Sequence, residues 1–343
     1  EEIEGEDEAA RLAQRLVDAL REPFPVDERE LNLTTSVGIA VFPEDGDEPD
    51  ALLRAADQAM YRAKNLGRNS YQFATPGMGS SSLEHLALES HLARAVDSDE
   101  LRLNYHVKVD LTDGHITGVE ALVHWEHPEL GLVSPAHFLP LAEQSGMMEA
   151  IGDWVLRTAA AQNRAWQDQG LALTRMGVNL SGAQLERPGL AERVEAILAE
   201  TGMEPRWLEL ELTESALLEH RDVAEKELGR LKAQGVSVLV DDYGTGYSSL
   251  PLLHRLPVDG LKVDISLVRD LPGTGGEADV VSAVIAMAHH LNLRIVAEGV
   301  ETNEQLYHLR HLGCDEIQGF LLSRPLSAAN FESLFGRELL PRQ

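Results

Sequence analysis

From residue 101 onward, short apolar runs that finish on polar residues alternate with longer stretches of helical spacing. LRLNYHVKVDL (101–111), TGVEALVHW (117–125), RMGVNLS (175–181), WLELELTES (207–215), VSVLVDDYG (236–244), GLKVDIS (260–266), RIVAEGV (294–300) and EIQGFLL (316–322) read as eight strands. Helical segments such as DWVLRTAAAQNRAWQDQG (153–170) and GLAERVEAILAETG (189–202) separate most of them, and the helix LEHLALESHLARAV precedes the first. Eight strands spread over roughly 250 residues match a (β/α)8 TIM-like barrel, with a doubly wound open sheet as the alternative. Only the turn TDGH joins the first two strands, which predicts a hairpin and therefore one antiparallel strand in the barrel.

The N-terminal pattern is different. EDEAARLAQRLVDAL is helical, LNLTTSVGIAVFP (31–43) is β-rich, PDALLRAADQAMYRAKNLG (49–67) is a helix with proline at its start and glycine after its end, and NSYQF (69–73) is a short strand. These few elements offer a poor core by themselves. ATPGMGSSS (74–82) is the most linker-like stretch in the chain. The expected organisation is a partial α/β segment at 1–76, a linker at 77–83, a barrel at 84–338 and a tail at 339–343.

Composition narrows the function classes. The 343 residues are 43% hydrophobic and 25% charged, which are globular values. Net charge is −28, from 57 acidic and 29 basic residues, so a broad basic surface for a nucleic-acid polymer is excluded. No apolar run reaches bilayer length and the first residues are acidic, so no membrane contact or export is expected from this chain, and the expected location is cytoplasmic. Cys314 is the single cysteine, expected as a buried filler in a reducing compartment.

The polar residues at the strand ends carry the candidate chemistry. In barrels of this type the active site lies at the C-terminal ends of the strands. There the chain places Glu120, Asn179, Glu211, Asp241 and Asp242, Lys262 and Asp264, Glu298 and Gln318, strand by strand. A charge inside an apolar strand costs several kcal/mol unless it is paired or bound to metal. Oxygen donors without histidine or thiolate suit Mg2+, Mn2+ or Ca2+. Adjacent Asp241 and Asp242 allow one carboxylate to bridge two ions about 4 Å apart while the other serves the second ion. Lys262 adds a compact positive charge. These parts describe in-line hydrolysis of a phosphodiester. Each has a plainer reading: Glu209 as a solvated or paired strand residue, Asp264 as a partner of Lys262, Asp-Asp before Gly-Thr-Gly as a turn. Their convergence on one rim is what favours chemistry.

E-A-L at 120–122, N-L-S at 179–181, E-L-T-E-S at 211–215, D-D-Y-G-T-G-Y-S-S-L at 241–250, L-K-V-D at 261–264, A-E-G-V-E-T at 297–302 and Q-G-F at 318–320 resemble, in order and spacing, the successive motifs of the EAL phosphodiesterase family. The N-terminal wording from SVGIAVFPEDG to NSYQF resembles the C-terminal half of a GGDEF, or diguanylate cyclase, domain. That family's signature loop is expected just before residue 1, so no cyclase activity is assigned to this chain.

The EAL resemblance implies opening of one phosphodiester of cyclic di-GMP to give linear pGpG. It implies Glu120, Asn179, Glu211 and Asp241 as ligands of a first Mg2+ or Mn2+, with Asp241 bridging to a second ion that Asp242 completes and with Ca2+ inhibitory. It further implies Lys262 as holding the attacking water or stabilising charge, Glu298 as general base or as the residue orienting that water through the second ion, and Gln318 beside it. Glu214 would steady the loop after Asp242, and Glu301 and Asp264 would support the site. Leu122, His124 and His106 would face the substrate, and the barrel would form a homodimer.

Two positions depart from the pattern. Tyr105-His106-Val107 stands where the family usually has Tyr-Gln-Pro, and His124 stands where it usually has arginine. Arginine gives a permanent bidentate phosphate contact, whereas histidine is mostly neutral near pH 7. A weaker clamp compensated elsewhere is preferred over a pH-sensitive one. The altered clamp motivates two alternatives: a non-catalytic cyclic di-GMP receptor, or a hydrolase of another phosphodiester. The His289-His290 pair lacks metal spacing with acids and is expected to be structural.

Overall fold

A computed structural model of the chain describes residues 6–19, 24–26, 29–31, 35–46, 48–65, 70–74, 88, 91–96, 98–128, 130–171, 174–244, 253, 255–273, 276–334 and 339–340. The proposed linker at 77–83, the tip of the Asp-Asp-Tyr-Gly loop at 245–250 and the last three residues lie outside them. The chain divides into two compact units, Glu1–His91 and Leu92–Gln343.

In the first unit, helix Glu6–Ala19 is followed by a small antiparallel pair, β1 (Phe24–Val26) with β2 (Arg29–Leu31). Next, β3 (Ser36–Ile39), helix Pro49–Asn65 and β4 (Ser70–Phe73) form a parallel βαβ unit. The single strand expected over 31–43 is therefore shorter and confined to its centre. Gly38 is required there, because a Cβ would collide with the carbonyl oxygen of Ala56 on the helix. Ala13, Val17, Ala59 and Ala63 are buried, whereas Leu12, Leu16, Phe42 and Leu53 are exposed, consistent with a small core.

The second unit is a closed eight-stranded barrel. Its strands are β5 (Leu101–Asp110), β6 (Ile116–His127), then, after the short β7 (Gly131–Val133), β8 (Arg175–Asn179), β9 (Leu208–Thr213), β10 (Ser237–Tyr243), β11 (Gly260–Val263), β12 (Arg294–Ala297) and β13 (Glu316–Gln318). Neighbours pair in parallel from β6 through β8 to β13. Strand β5 closes the ring antiparallel to both β6 and β13. The TDGH hairpin thus produces the reversed strand expected from it. The sequence pattern did not foresee β7, which extends β6 as an outer antiparallel ribbon.

Alternation along β5 explains how the barrel is filled. Leu101, Leu103, Tyr105, Val107 and Val109 face outward and are buried. Tyr105 meets Trp166 edge-on at 4.9 Å, and Trp166 packs against Phe331 at 4.6 Å, so aromatic rings clamp this sector. Helix Met148–Asp168 turns Ile151, Val155, Leu156, Ala159, Ala160 and Trp166 inward. The opposite set on β5 is polar, and His106 and Lys108 point into the lumen. The other strands contribute Glu120, Asn179, Glu209, Glu211, Asp241, Lys262, Glu316 and Gln318 to the same space. Apolar packing therefore surrounds the barrel, while its interior is a charged column.

Candidate active site

Lys262 on β11 sits at the centre of the upper lumen and is buried. Its Nζ lies 2.5 Å from Glu211 Oε2, 2.7 Å from Glu298 Oε1, 3.1 Å from Asp241 Oδ1 and 3.3 Å from Glu120 Oε2. These five residues come from five different strands or their C-terminal ends. Asn179 Nδ2 donates to Glu120 Oε1 at 2.6 Å. Gln318 Nε2 donates to Glu120 Oε2 at 2.7 Å and to His106 Nδ1 at 2.9 Å. Asp242 follows Asp241 with φ of 53°, in the left-handed region where a non-glycine residue is strained, and its amide donates to Asp241 Oδ1 at 2.9 Å.

The arrangement fits divalent cations on three counts. Glu120, Glu211 and Asp241 present carboxylate oxygens within 4.8 Å of one another; so do Asp241, Asp242 and Glu298, and Asp241 is common to both groups. The five carboxylates outnumber the two lysines that reach them, Lys262 and Lys108, so in their ionised form they leave negative charge for cations to neutralise. Glu211 Oε2 and Gln318 Oε1 are also buried without a hydrogen bond, because Lys262 approaches Glu211 Oε2 closely but off the hydrogen-bonding direction. Hard oxygen donors in this number suit Mg2+ or Mn2+.

The electrostatics follow from burial. Burial pushes Glu298 up to about 8 against the pull of Lys262, and pushes Glu211 up to about 7 against Lys108 and Lys262. Burial acts the same way on Glu120, but Lys262, Lys108 and the hydrogen bonds from Gln318 and Asn179 outweigh it and bring that carboxyl down to about 2. Asp242 is raised by burial and by Asp241. Burial lowers the His106 imidazole, so it stays neutral beside Gln318.

A pH dependence follows with a definite sign. The metal-free protein retains protons on Glu211 and Glu298 that the unfolded chain releases above its reference value of 4.5. Its stability is therefore expected to fall as pH rises from about 5 to about 8. The contribution of Glu120, whose value is lowered, is present above 4.5 and is lost only as pH falls toward 2. Thermal melts in chelator at pH 5, 6.5 and 8 should show a declining Tm, and Mn2+ should restore most of it at pH 8. A metal-free Tm that climbs across this range would contradict the assignment.

The remaining candidates lie nearer the rim. His124 is half-buried and its Nδ1 donates to the Leu122 carbonyl at 3.0 Å. Glu214 is buried at the start of helix Glu214–Glu219. Asp264 lies one residue beyond β11 and accepts from the Ser266 amide at 2.9 Å, capping the short helix Ile265–Val268 instead of pairing with Lys262. Glu301 is exposed, and its side chain makes no hydrogen bond or ion pair among the described residues. Phe320 is half exposed beside His106, with the Arg324 guanidinium 4.6 Å from its ring centre. His289 pairs with Asp315 at 3.2 Å and belongs to neither of the carboxylate groups at the rim. Cys314 is buried as expected.

Sequence reading missed the lower half of the column. Lys108 Nζ lies 2.7 Å from Glu209 Oε1 and also bonds Glu211 Oε1. Glu209 in turn meets Arg175 and Arg294, and both arginines reach Glu316. Burial opposes the charge of Lys108, yet Glu209 and Glu211 hold its pKa above the usual lysine value. The available signal was parity: Lys108 occupies the face of β5 opposite to five outward apolar residues.

A family model described as "EAL domain" matches residues 89–325, and one described as "Diguanylate cyclase, GGDEF domain" matches residues 1–70. The "Bifunctional diguanylate cyclase/cyclic di-GMP phosphodiesterase MucR" of Pseudomonas aeruginosa is 44% identical over 321 residues, covering 94% of this chain and 47% of that protein. The "Cyclic di-GMP phosphodiesterase PdeR" of Escherichia coli is 38% identical over 328 residues, covering 96% and 49% respectively. The chain thus spans about half the length of these curated relatives. Among solved structures, "PaMucR Phosphodiesterase, c-di-GMP complex" aligns with a TM-score of 0.69 at 44% identity, covering 71% of this chain and 99% of that one. The EAL domain of Mycobacterium smegmatis DcpA aligns with a TM-score of 0.60 at 35% identity, covering 71% and 99%. A barrel closed by one reversed strand, an acidic rim built around a central lysine and these matches lead to one conclusion: the chain belongs to the EAL domain family.

Proposed function

We propose that residues 84–338 hydrolyse cyclic di-GMP to linear pGpG, with two divalent cations, Mg2+ or Mn2+, held at the acidic rim. The observation that carries this reading is the pair of carboxylate groups sharing Asp241, set around Lys262 at the C-terminal ends of the strands. A bound ion pair supplies an activated water and neutralises a phosphoryl oxygen. Glu120, Asn179, Glu211 and Asp241 would hold the first ion, and Asp241 with Asp242 would hold the second. Glu298, 2.7 Å from Lys262 Nζ and grouped with Asp241 and Asp242, stands where it would accept a proton from the attacking water or orient that water. Lys262 keeps a fixed positive charge where negative charge develops. Gln318 fixes both Glu120 and His106, so the acid ligand and the substrate side of the rim are held as one unit. Glu214, Glu301 and Asp264 are assigned supporting roles around the loops.

The rim also offers groups for a dinucleotide. Phe320 presents an aromatic face and Arg324 a cation, the chemistries that take up a base and a phosphate. Leu122, His106 and His124 complete this side. We assign a cytoplasmic location and a homodimer through the barrel; among the described residues no helix is long and apolar enough to cross a membrane. Residues 1–76 are assigned as a partial GGDEF-like segment.

The test is product analysis on purified protein. Formation of pGpG that requires Mg2+ or Mn2+ and stops in chelator is expected. Tight cyclic di-GMP binding in Ca2+ without product in Mg2+ would instead make the protein a receptor, and a higher kcat/KM for another phosphodiester would change the substrate. If the clamp limits binding, His124→Arg is expected to lower KM, by up to roughly ten- to hundredfold, the worth of one charged hydrogen bond of about 1.5–3 kcal/mol. An unchanged KM would show that the clamp is not limiting.

A further inference from the structure

Lys108 is the largest buried group at the site that the proposed reaction does not use. It leaves β5, pairs in register with Gly118 of β6, and crosses the lumen to β9, more than a hundred residues away in sequence. The crossing needs clearance on β8. A Cβ on Gly177 would collide with Glu211 Oε1 and lie 3.1 Å from Lys108 Nζ. Glycine thus occupies lumen positions on both intervening strands, β6 and β8.

The two oxygens of Glu211 are divided by this contact. Oε1 is bound from below by Lys108, and Oε2 faces upward toward Lys262 without a directed hydrogen bond. Lys108 is itself anchored by Glu209, which Arg175 and Arg294 hold from the barrel floor. A carboxylate tied at one oxygen has lost the rotation that would let it chelate with both.

We infer that Lys108 is a positioning residue: it pins Glu211 Oε1 so that Oε2 alone is offered to the ion, and Gly177 provides the space for that contact. This rests on the proposed metal-dependent reading. The support works as outer-shell groups do when they orient a metal ligand. Charge alone predicts the opposite effect, because removing a buried cation near a cation site strengthens ion binding. The two accounts therefore differ in sign.

Calorimetric titration of Mn2+ into the full chain, with no substrate present, decides between them. Lys108→Met is expected to raise the Mn2+ Kd roughly ten- to hundredfold. If that variant does not fold, Lys108→Arg serves instead; it keeps the buried charge, places a longer planar head against Glu211, and is expected to raise the Kd at least about fivefold. A Kd unchanged or tighter in the folded variant, even with a lowered Tm, would overturn the inference and leave Lys108 a structural residue. If the native protein takes up no Mn2+, the metal-dependent reading itself fails, which is a distinct outcome.

Discussion

Glu120→Ala is expected to reduce metal-dependent pGpG formation by at least about a thousandfold, corresponding to roughly 4 kcal/mol of lost transition-state stabilisation. Glu120 accepts hydrogen bonds from Asn179 and Gln318 and also faces Lys262, so its removal does more than delete one ligand. Asn179 loses the acceptor that orients it, and Gln318 loses the anchor that ties it to the acids. Each hydrogen bond to the charged carboxylate that is lost is worth about 1.5–3 kcal/mol, so Tm should fall as well. Two readouts separate these effects. Turnover measured at saturating Mn2+ on the folded fraction reports the ligand, and a melt in chelator reports the broken hydrogen bonds. Turnover within about threefold of the native protein would remove Glu120 from the reaction.

The second large effect is expected for Lys262→Met. This substitution keeps the length of the stem and removes the charge that touches four carboxylates. Breaking a buried ion pair from one side typically costs about 3–5 kcal/mol, because the remaining charges lie buried without compensation. The metal-free variant should therefore be markedly less stable than the native protein at pH 8 and closer to it at pH 5, where Glu211 and Glu298 carry protons. Mn2+ should restore much of the stability, since ions replace the missing positive charge. It should not restore kcat, which is expected to stay at least about a hundredfold down, the usual loss when one preorganised electrostatic group is removed. Recovery of both together would reduce Lys262 to a structural counter-charge.

Much of this site was legible in the chain. Glu120, Asn179, Glu211, Asp241, Lys262 and Gln318 stand where apolar strand patterns end or are interrupted, and the structure brings all of them to one rim. The hairpin turn between β5 and β6 also reads directly, because a four-residue connection can join only antiparallel neighbours. Other features did not read. Asp264, two residues after Lys262, reads as a candidate partner for it, but β11 ends at Val263 and the next turn uses Asp264 as a helix cap. Glu301 shares a motif with Glu298, yet its side chain turns to solvent.

The sequence by itself determined the alternating elements, the acidic balance and which residue types were available for ion chemistry. These follow from periodicity and composition, which are local properties. Only the tertiary structure decided which oxygens meet: that Lys262 sits among four acids, that Asp241 belongs to two ligand groups, and that Lys108 reaches Glu211 over Gly177. The physical reason is barrel closure. Strand stagger sets which side chains share a layer, and that stagger is chosen by apolar packing all around the ring, which no single segment of chain encodes.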